Sequence, residues 1–378
     1  MRYKCIDVDS HCQEQPTTWS SRMSKARWGD RIPHLEDSPD GAQFWVIDGK
    51  PSAIGRVALC HAVMPDRETL PKRWADVPKS VYDPYARMKA MDQDGVDAEV
   101  LYANITGTSA ETFQGKEPDL EEECVRAYND YLAEEWLAAS KERFIPLAIV
   151  PYSDIERTVG ELRRAVGRGL KGVVMLSTPH QRGLHHFNDL YWEPLWTAAD
   201  DLGVPVHFHG SGGASRMRLE IMPDTTQRRN RALTGSIGFN LQAQFYTNML
   251  MSGMLDRHPN LTFVCAESGL GWVPYLFEMA DYEWDRCQLW KQGMPRKPSD
   301  IFKAQCYVDF WYEKAGLAYR QVIGVDRIMW ETDFPHPTSI FPDSQKWLDW
   351  SLEGASAEDR RKILVDNPMK VYKLKNGA

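Results

Sequence analysis

From residue 85 onward, apolar β-rich runs alternate with stretches of helical spacing. Tyr85–Gly95 has helix character and closes on Asp94-Gly95, after which Ala98–Tyr102 reads as a strand. The alternation continues with a helix over Leu120–Ser140, a strand over Phe144–Val150 and a helix over Ile155–Arg168 stopped near Gly169. A strand over Gly172–Leu176, a helix over Leu190–Leu202 closed by Gly203 and a strand over Val204–His209 follow. The helical stretch Phe239–Leu255 precedes a strand over Leu261–Glu267, and two more strands are expected over Cys306–Trp311 and Arg327–Trp330. With the strand-like run Cys5–Val8, this makes about eight strands separated mostly by helices, which suits a (β/α)8 TIM-type barrel better than a doubly wound sheet. No Gly-x-Gly-x-x-Gly opens a helix after the first strand, so a dinucleotide fold loses its usual support. Residues 12–80, rich in Pro, Asp, Arg and Trp, are too long for a bare loop. They are expected to form an N-terminal insertion over the barrel mouth, within a single domain spanning residues 1–378.

Composition narrows the class. A net charge of -8 without any Lys/Arg-rich block argues against a nucleic-acid partner. No apolar run reaches the roughly 18 residues needed to span a membrane. Met1-Arg2-Tyr3-Lys4 leads straight into the first strand without a signal-peptide core, so a cytoplasmic location is expected. The seven cysteines are widely spaced with no Cys-x-x-Cys pair, which reads as reduced thiols.

The chemistry lies at the strand ends. Asp9 and His11 stand one residue apart after the first strand and share a face. His207 and His209 alternate in a later strand, Glu267 closes the Phe263–Ala266 run, and Asp333 follows Met329-Trp330-Glu331-Thr332. These are metal-ligand residue types at the strand ends where barrel enzymes work. Neither a Gly-x-Ser-x-Gly elbow nor a phosphate loop competes with them.

In order, Asp9-Ser10-His11, Val204–His209, Arg257-His258-Pro259-Asn260-Leu261 leading to Glu267-Ser268-Gly269, and Thr332-Asp333-Phe334-Pro335 resemble the amidohydrolase superfamily. The resemblance is to the amidohydrolase-2 branch with the aminocarboxymuconate-semialdehyde decarboxylase-like proteins, and it covers nearly the whole chain. It implies a barrel-top metal site in which Asp9 and His11 take the place of a His-x-His pair. His209, rather than His207, is implied as the fifth-strand ligand, and Asp333 as both metal ligand and proton acceptor. It also implies a homodimer. Two departures stand out. Glu267 occupies a position commonly His in the decarboxylases, and the fourth strand offers no bridging lysine, with Lys171 only at its start.

Counting Glu14 as well, four carboxylates face two histidines. Four negative charges would neutralise two divalent ions, whereas a lone zinc among them would be a poor Lewis acid. The expectation is therefore one or two divalent ions, iron or manganese ahead of zinc, with Glu14 and Glu267 as extra ligands. Against this, Glu14 could simply cap a loop or pair with an arginine. His207 reads more readily as core or outer support than as ligand, and is counted with His180, Trp311 and Arg216 as a candidate substrate contact; His180 could equally be an ordinary loop histidine, and His336 pocket-lining or structural. Trp19, Trp311 and Tyr312 are candidates for an apolar wall, and Arg216 or Arg218 for anchoring a carboxylate or phosphate.

The favoured expectation is a hydrolase in which metal-activated water attacks an ester, thioester or amide of an apolar carboxylic acid. Asp333 would move the proton, with Glu267 as ligand or second base. The rival within the fold is nonoxidative decarboxylation of an aromatic or unsaturated acid. The rival from another class is a catalytically silent barrel that only binds a ligand.

Overall fold

The computed structural model describes residues 2–52, 57–210, 227–237 and 241–375. Among them, β1 (Ile6–His11) pairs in parallel with β5 (Ala98–Tyr102), and β5 with β6 (Phe144–Pro146). A second parallel run joins β7 (Val173–Val174), β8 (Val206–His209), β9 (Phe263–Ala266), β10 (Cys306–Phe310) and β11 (Ile328–Trp330). Bridges Ala148↔Val173 and Ser10↔Phe334 close the two runs into an eight-stranded parallel barrel. The expected fold is therefore the observed one.

Boundaries moved for local reasons. The first strand continues through Asp9-Ser10-His11 instead of stopping at Val8, because the backbone stays paired with β5 as far as His11 and those polar side chains are buried inside the fold. Its register against β5 shifts between Asp7 and Ser10, a bulge that re-aims the side chains beyond it. The run Phe144–Val150 keeps a regular ladder only to Pro146, beyond which single hydrogen bonds from Leu147 to Leu101 and from Ala148 to Gly172 continue the contact with the flanking strands. The first barrel helix, Pro84–Asp94, is capped by Asp83, whose carboxylate accepts from the Ala86 N–H at 2.8 Å, and ends on Gly95 at φ 75°. From this helix the fully buried Arg87 reaches the Ser10 Oγ and Glu99 Oε2 at 2.8 Å and the His11 carbonyl at 2.6 Å. That guanidinium pins the Asp9–His11 end of β1.

Residues 12–80 contain a three-stranded antiparallel sheet, β2 (His34–Asp37), β3 (Gln43–Ile47) and β4 (Lys50–Pro51). A small second core of Val57, Ala58, Cys60, Val77 and Val81 packs on Phe334, next to Asp333. Trp19, Trp45, Trp136, Trp192, Trp196 and Trp330 are fully buried, so these tryptophans are core. No described helix is long and apolar enough to cross a membrane.

Candidate metal centre

Barrel closure builds the site. The His11 N–H donates to the Phe334 carbonyl at 2.6 Å and the Asp333 N–H to the Asp9 carbonyl at 2.9 Å, so the first and last strands meet with their acidic ends together. His209 joins them from the end of β8. Glu267 and Asp333 each follow a strand at φ 53°, a left-handed conformation costing a non-glycine residue of order 1 kcal/mol and typical of functional turns.

His11 Nε2 lies 3.1 Å from His209 Nε2, 3.4 Å from Asp9 Oδ1 and 3.5 Å from Asp333 Oδ1. His209 Nε2 lies 3.2 Å from Asp9 Oδ2. The Ala103 carbonyl, 3.0 Å from His11 Nδ1, can only accept a hydrogen bond, so the ring hydrogen sits there and the Nε2 lone pair faces the centre. On the other ring, Glu267 Oε2 stands 3.3 Å from His209 Nδ1 and favours the same tautomer.

The result is a cluster of acceptors without donors. Neither oxygen of Asp9, nor Asp333 Oδ1, has a hydrogen-bond donor. Burial, and then the charge of Asp333, push the Asp9 carboxyl well above its ordinary range. Burial likewise raises Glu267 against the pull of His209, and it drives His11 well below the usual imidazole value, with His336 and His209 adding to the effect. Buried carboxylates left unpaired are costly, and a cation removes that cost. Donors about 2.0–2.2 Å from one metal ion sit about 2.9–3.6 Å from each other, which is the spacing found here. The donor set fits a divalent ion, and the charges of Asp9 and Asp333 balance one such ion.

Other residues read from the sequence fall elsewhere. Glu14 is not in the cluster: its carboxylate accepts from the amides of Asn104, Ile105 and Thr106 at 2.8–3.2 Å, a cradle that opposes the burial raising it to about 7. Glu267 stands behind His209 rather than among the converging donors. The count of four carboxylates therefore shrinks to two, and with it the argument for a second ion. His207 is buried beneath His209, its Nδ1 2.6 Å from the Tyr102 hydroxyl and its ring stacked on Tyr372. That placement is core support, not substrate contact. Trp19 is interior as well, donating to the Cys124 carbonyl at 3.0 Å. Burial pushes the thiol of Cys12, beside His11, up to about 12, which disfavours the thiolate.

His180 lines a small polar cavity with Ser177, Thr178, Gly210, Gln242 and Phe245. A larger cavity of about 810 Å³ is lined by Tyr312, Thr338, Ile340, Trp347 and Arg228 among others. Thr338 Oγ1 donates to Asp333 Oδ2, which places this cavity beside the cluster. Tyr312 is half exposed at its wall, whereas Trp311 is buried and does not line it. Arg216 and Arg218 lie outside the described residues. His336, which the sequence offers as pocket-lining or as an ordinary loop residue and not as a ligand, is brought to Asp333 by the structure. The usable signal was spacing, since a turn returns residues i and i+3 to one place.

Residues 28–374 match the amidohydrolase family. The chain belongs to the amidohydrolase family. A gamma-resorcylate decarboxylase from Rhizobium radiobacter is 28% identical over 308 residues, covering 76% of this chain and 86% of that protein. An amidohydrolase from Mycobacterium avium subsp. paratuberculosis K-10 superposes with a TM-score of 0.77 at 22% identity, covering 98% of this chain and 100% of the other. A dihydroxybenzoic acid decarboxylase from Polaromonas sp. JS666, solved with manganese and the inhibitor 2-nitroresorcinol, gives a TM-score of 0.64 at 20% identity, covering 99% of this chain and 98% of the other. At those identities the two structures speak for the fold. The expectation of hydrolysis is overturned, because curated relatives of this family member, matched over three quarters or more of its length, are decarboxylases. The physical argument that favoured hydrolysis rested on surplus carboxylates, and the structure removes that surplus.

Proposed function

We propose that the protein is a metal-dependent nonoxidative decarboxylase of a hydroxylated aromatic acid. The observation that carries this reading is the convergence of Asp9, His11, His209 and Asp333 in a chain whose curated relatives include gamma-resorcylate decarboxylases. Those four residues would hold one divalent ion. Manganese is the proposed ion, because imidazole and carboxylate suit it and a structural neighbour carries it. What the ion supplies when bound is a fixed positive charge for the oxygens of the acid.

The remaining work belongs to the chain. Decarboxylation breaks the bond between ring carbon and carboxylate, releases carbon dioxide and leaves an electron pair on the ring carbon, which must take up one proton. Asp333 carries that proton. The Thr338 hydroxyl donates to Oδ2 of Asp333 and so fixes the orientation of the carboxyl beside the cavity that Thr338 lines. Tyr312 and Trp347 give the ring an aromatic wall. Glu267 positions His209 and does not touch the acid.

Carbon dioxide release from a panel of ortho-hydroxybenzoic acids, abolished by a chelator and restored by manganese, tests the reading. Release of alcohol or thiol from acyl substrates, with no carbon dioxide from any acid, would overturn it.

A further inference from the structure

We propose that His336 is a fifth protein donor to the metal centre, through Nδ1. The inference rests on the metal-binding part of the reading above and is independent of the reaction catalysed. The His336 N–H donates to the Asp333 carbonyl at 2.9 Å, closing a turn that folds the ring back over its own strand end. There Nδ1 lies 2.9 Å from Asp333 Oδ1, and the ring packs on His11 with centroids 3.8 Å apart. His11, Asp333 and His336 bring one ligand atom each within 4.8 Å of the others, and so do Asp9, His11 and His209. The two triads share His11. One ion touching both would have three nitrogens and two carboxylates around it.

A chain of hydrogen bonds that starts in the insertion fixes which nitrogen of His336 faces the centre. The Leu59 N–H donates to one side-chain atom of Gln13 at 2.9 Å, so that atom is the oxygen, Oε1. Asn104 approaches the same oxygen at 3.4 Å and must turn its NH₂ group to it. The Asn104 oxygen is then left for His336 Nε2, 2.8 Å away. An amide oxygen only accepts, so the hydrogen of the neutral ring is on Nε2 and the Nδ1 lone pair points at Asp333. This is the device that turns His11, whose Nδ1 is held by the Ala103 carbonyl.

A lone pair facing a carboxylate oxygen at 2.9 Å needs a positive centre between them. A protonated ring donating to Asp333 would supply one, but Asp333 Oδ1 has no hydrogen-bond donor despite the short approach. A shared ion satisfies both atoms without an in-line N–H. The separation also equals that of neighbouring donors around one ion, about 3 Å for bonds near 2.1 Å.

Pulsed electron paramagnetic resonance on the manganese-loaded protein, with and without ¹⁵N-histidine, counts the coordinated imidazole nitrogens in the absence of any substrate. The expected count is three in the unmodified protein and two in His336→Ala, with manganese affinity weakened about tenfold or more in the variant. A count of two in the unmodified protein overturns the proposal by itself, whatever the variant does, and leaves the decarboxylase reading standing. A chain that takes up no manganese overturns both. Three nitrogens with no carbon dioxide release from any acid would sustain the fifth donor and sink the decarboxylase.

Discussion

The Asp333 backbone N–H donates to the Asp9 carbonyl at 2.9 Å, joining the last strand of the barrel to the first at the level of the metal cluster. Two carboxylates that repel one another are thus held together by the same hydrogen bonds that close the fold. Closure of the barrel and convergence of the donor set are one structural event, and the consequences reach stability as well as chemistry.

Without metal, the protein loses stability as pH rises. Asp309, in the barrel interior, is raised to about 8 by burial and by Asp9, and Asp9 and Glu267 are raised in the same direction. A carboxyl whose folded value exceeds its unfolded one contributes stability that is present at low pH and lost as pH climbs through the folded value. His11, depressed by burial, acts oppositely and costs stability below its ordinary value. Between about pH 6.5 and 8 the carboxyls therefore dominate, each giving a slope of at most about 1.4 kcal/mol per pH unit. Denaturant unfolding in chelator across this window measures the slope, and Asp309→Asn should reduce it.

Glu267→Gln removes the carboxylate that orients His209. Manganese affinity should fall about 10- to 100-fold by calorimetry, with the number of ions bound unchanged. Unaltered affinity would show that the 3.3 Å contact does not orient the ring.

Gly210→Ala reaches the same carboxylate from the other side. A Cβ there would sit 2.9 Å from the Glu267 Cβ and 2.9 Å from the Gln242 Nε2. Thermal unfolding should report a loss of about 1–3 kcal/mol, together with weaker manganese binding.

Glu14→Gln separates cradle from ligand. Its carboxylate accepts from three consecutive residues, so the change should cost about 1–3 kcal/mol of stability. Manganese content per chain should stay the same, and loss of the ion would restore Glu14 to the ligand set.

Much of this architecture was legible in the residues. The alternation of strand and helix gave the barrel, and Asp9, His11, His209 and Asp333 stood out because each ends an apolar run. What spacing cannot show is where a carboxylate turns next. Glu14, three residues past His11, was counted as a ligand because the amides of Asn104, Ile105 and Thr106 that hold it come from a distant loop. Glu267 was counted likewise because its relation to His209 Nδ1 is a matter of ring orientation. His336 was undervalued because its tautomer depends on Leu59 and Gln13, far from it along the chain.

Asp333→Asn should lower carbon dioxide release about 10²- to 10⁴-fold, as expected for loss of a proton-transfer group. The comparison is made at saturating manganese with occupancy confirmed by metal analysis, because Asp333 is also a proposed ligand.

The most direct measurement is proton and carbon NMR of an ortho-hydroxybenzoic acid turned over by the manganese-loaded protein in deuterated water. Decarboxylation with proton delivery to the ring predicts one deuterium, at the carbon that bore the carboxylate, and one carbon dioxide or bicarbonate per phenol formed. An unchanged acid across the panel, alongside cleavage of its esters or amides, would contradict it.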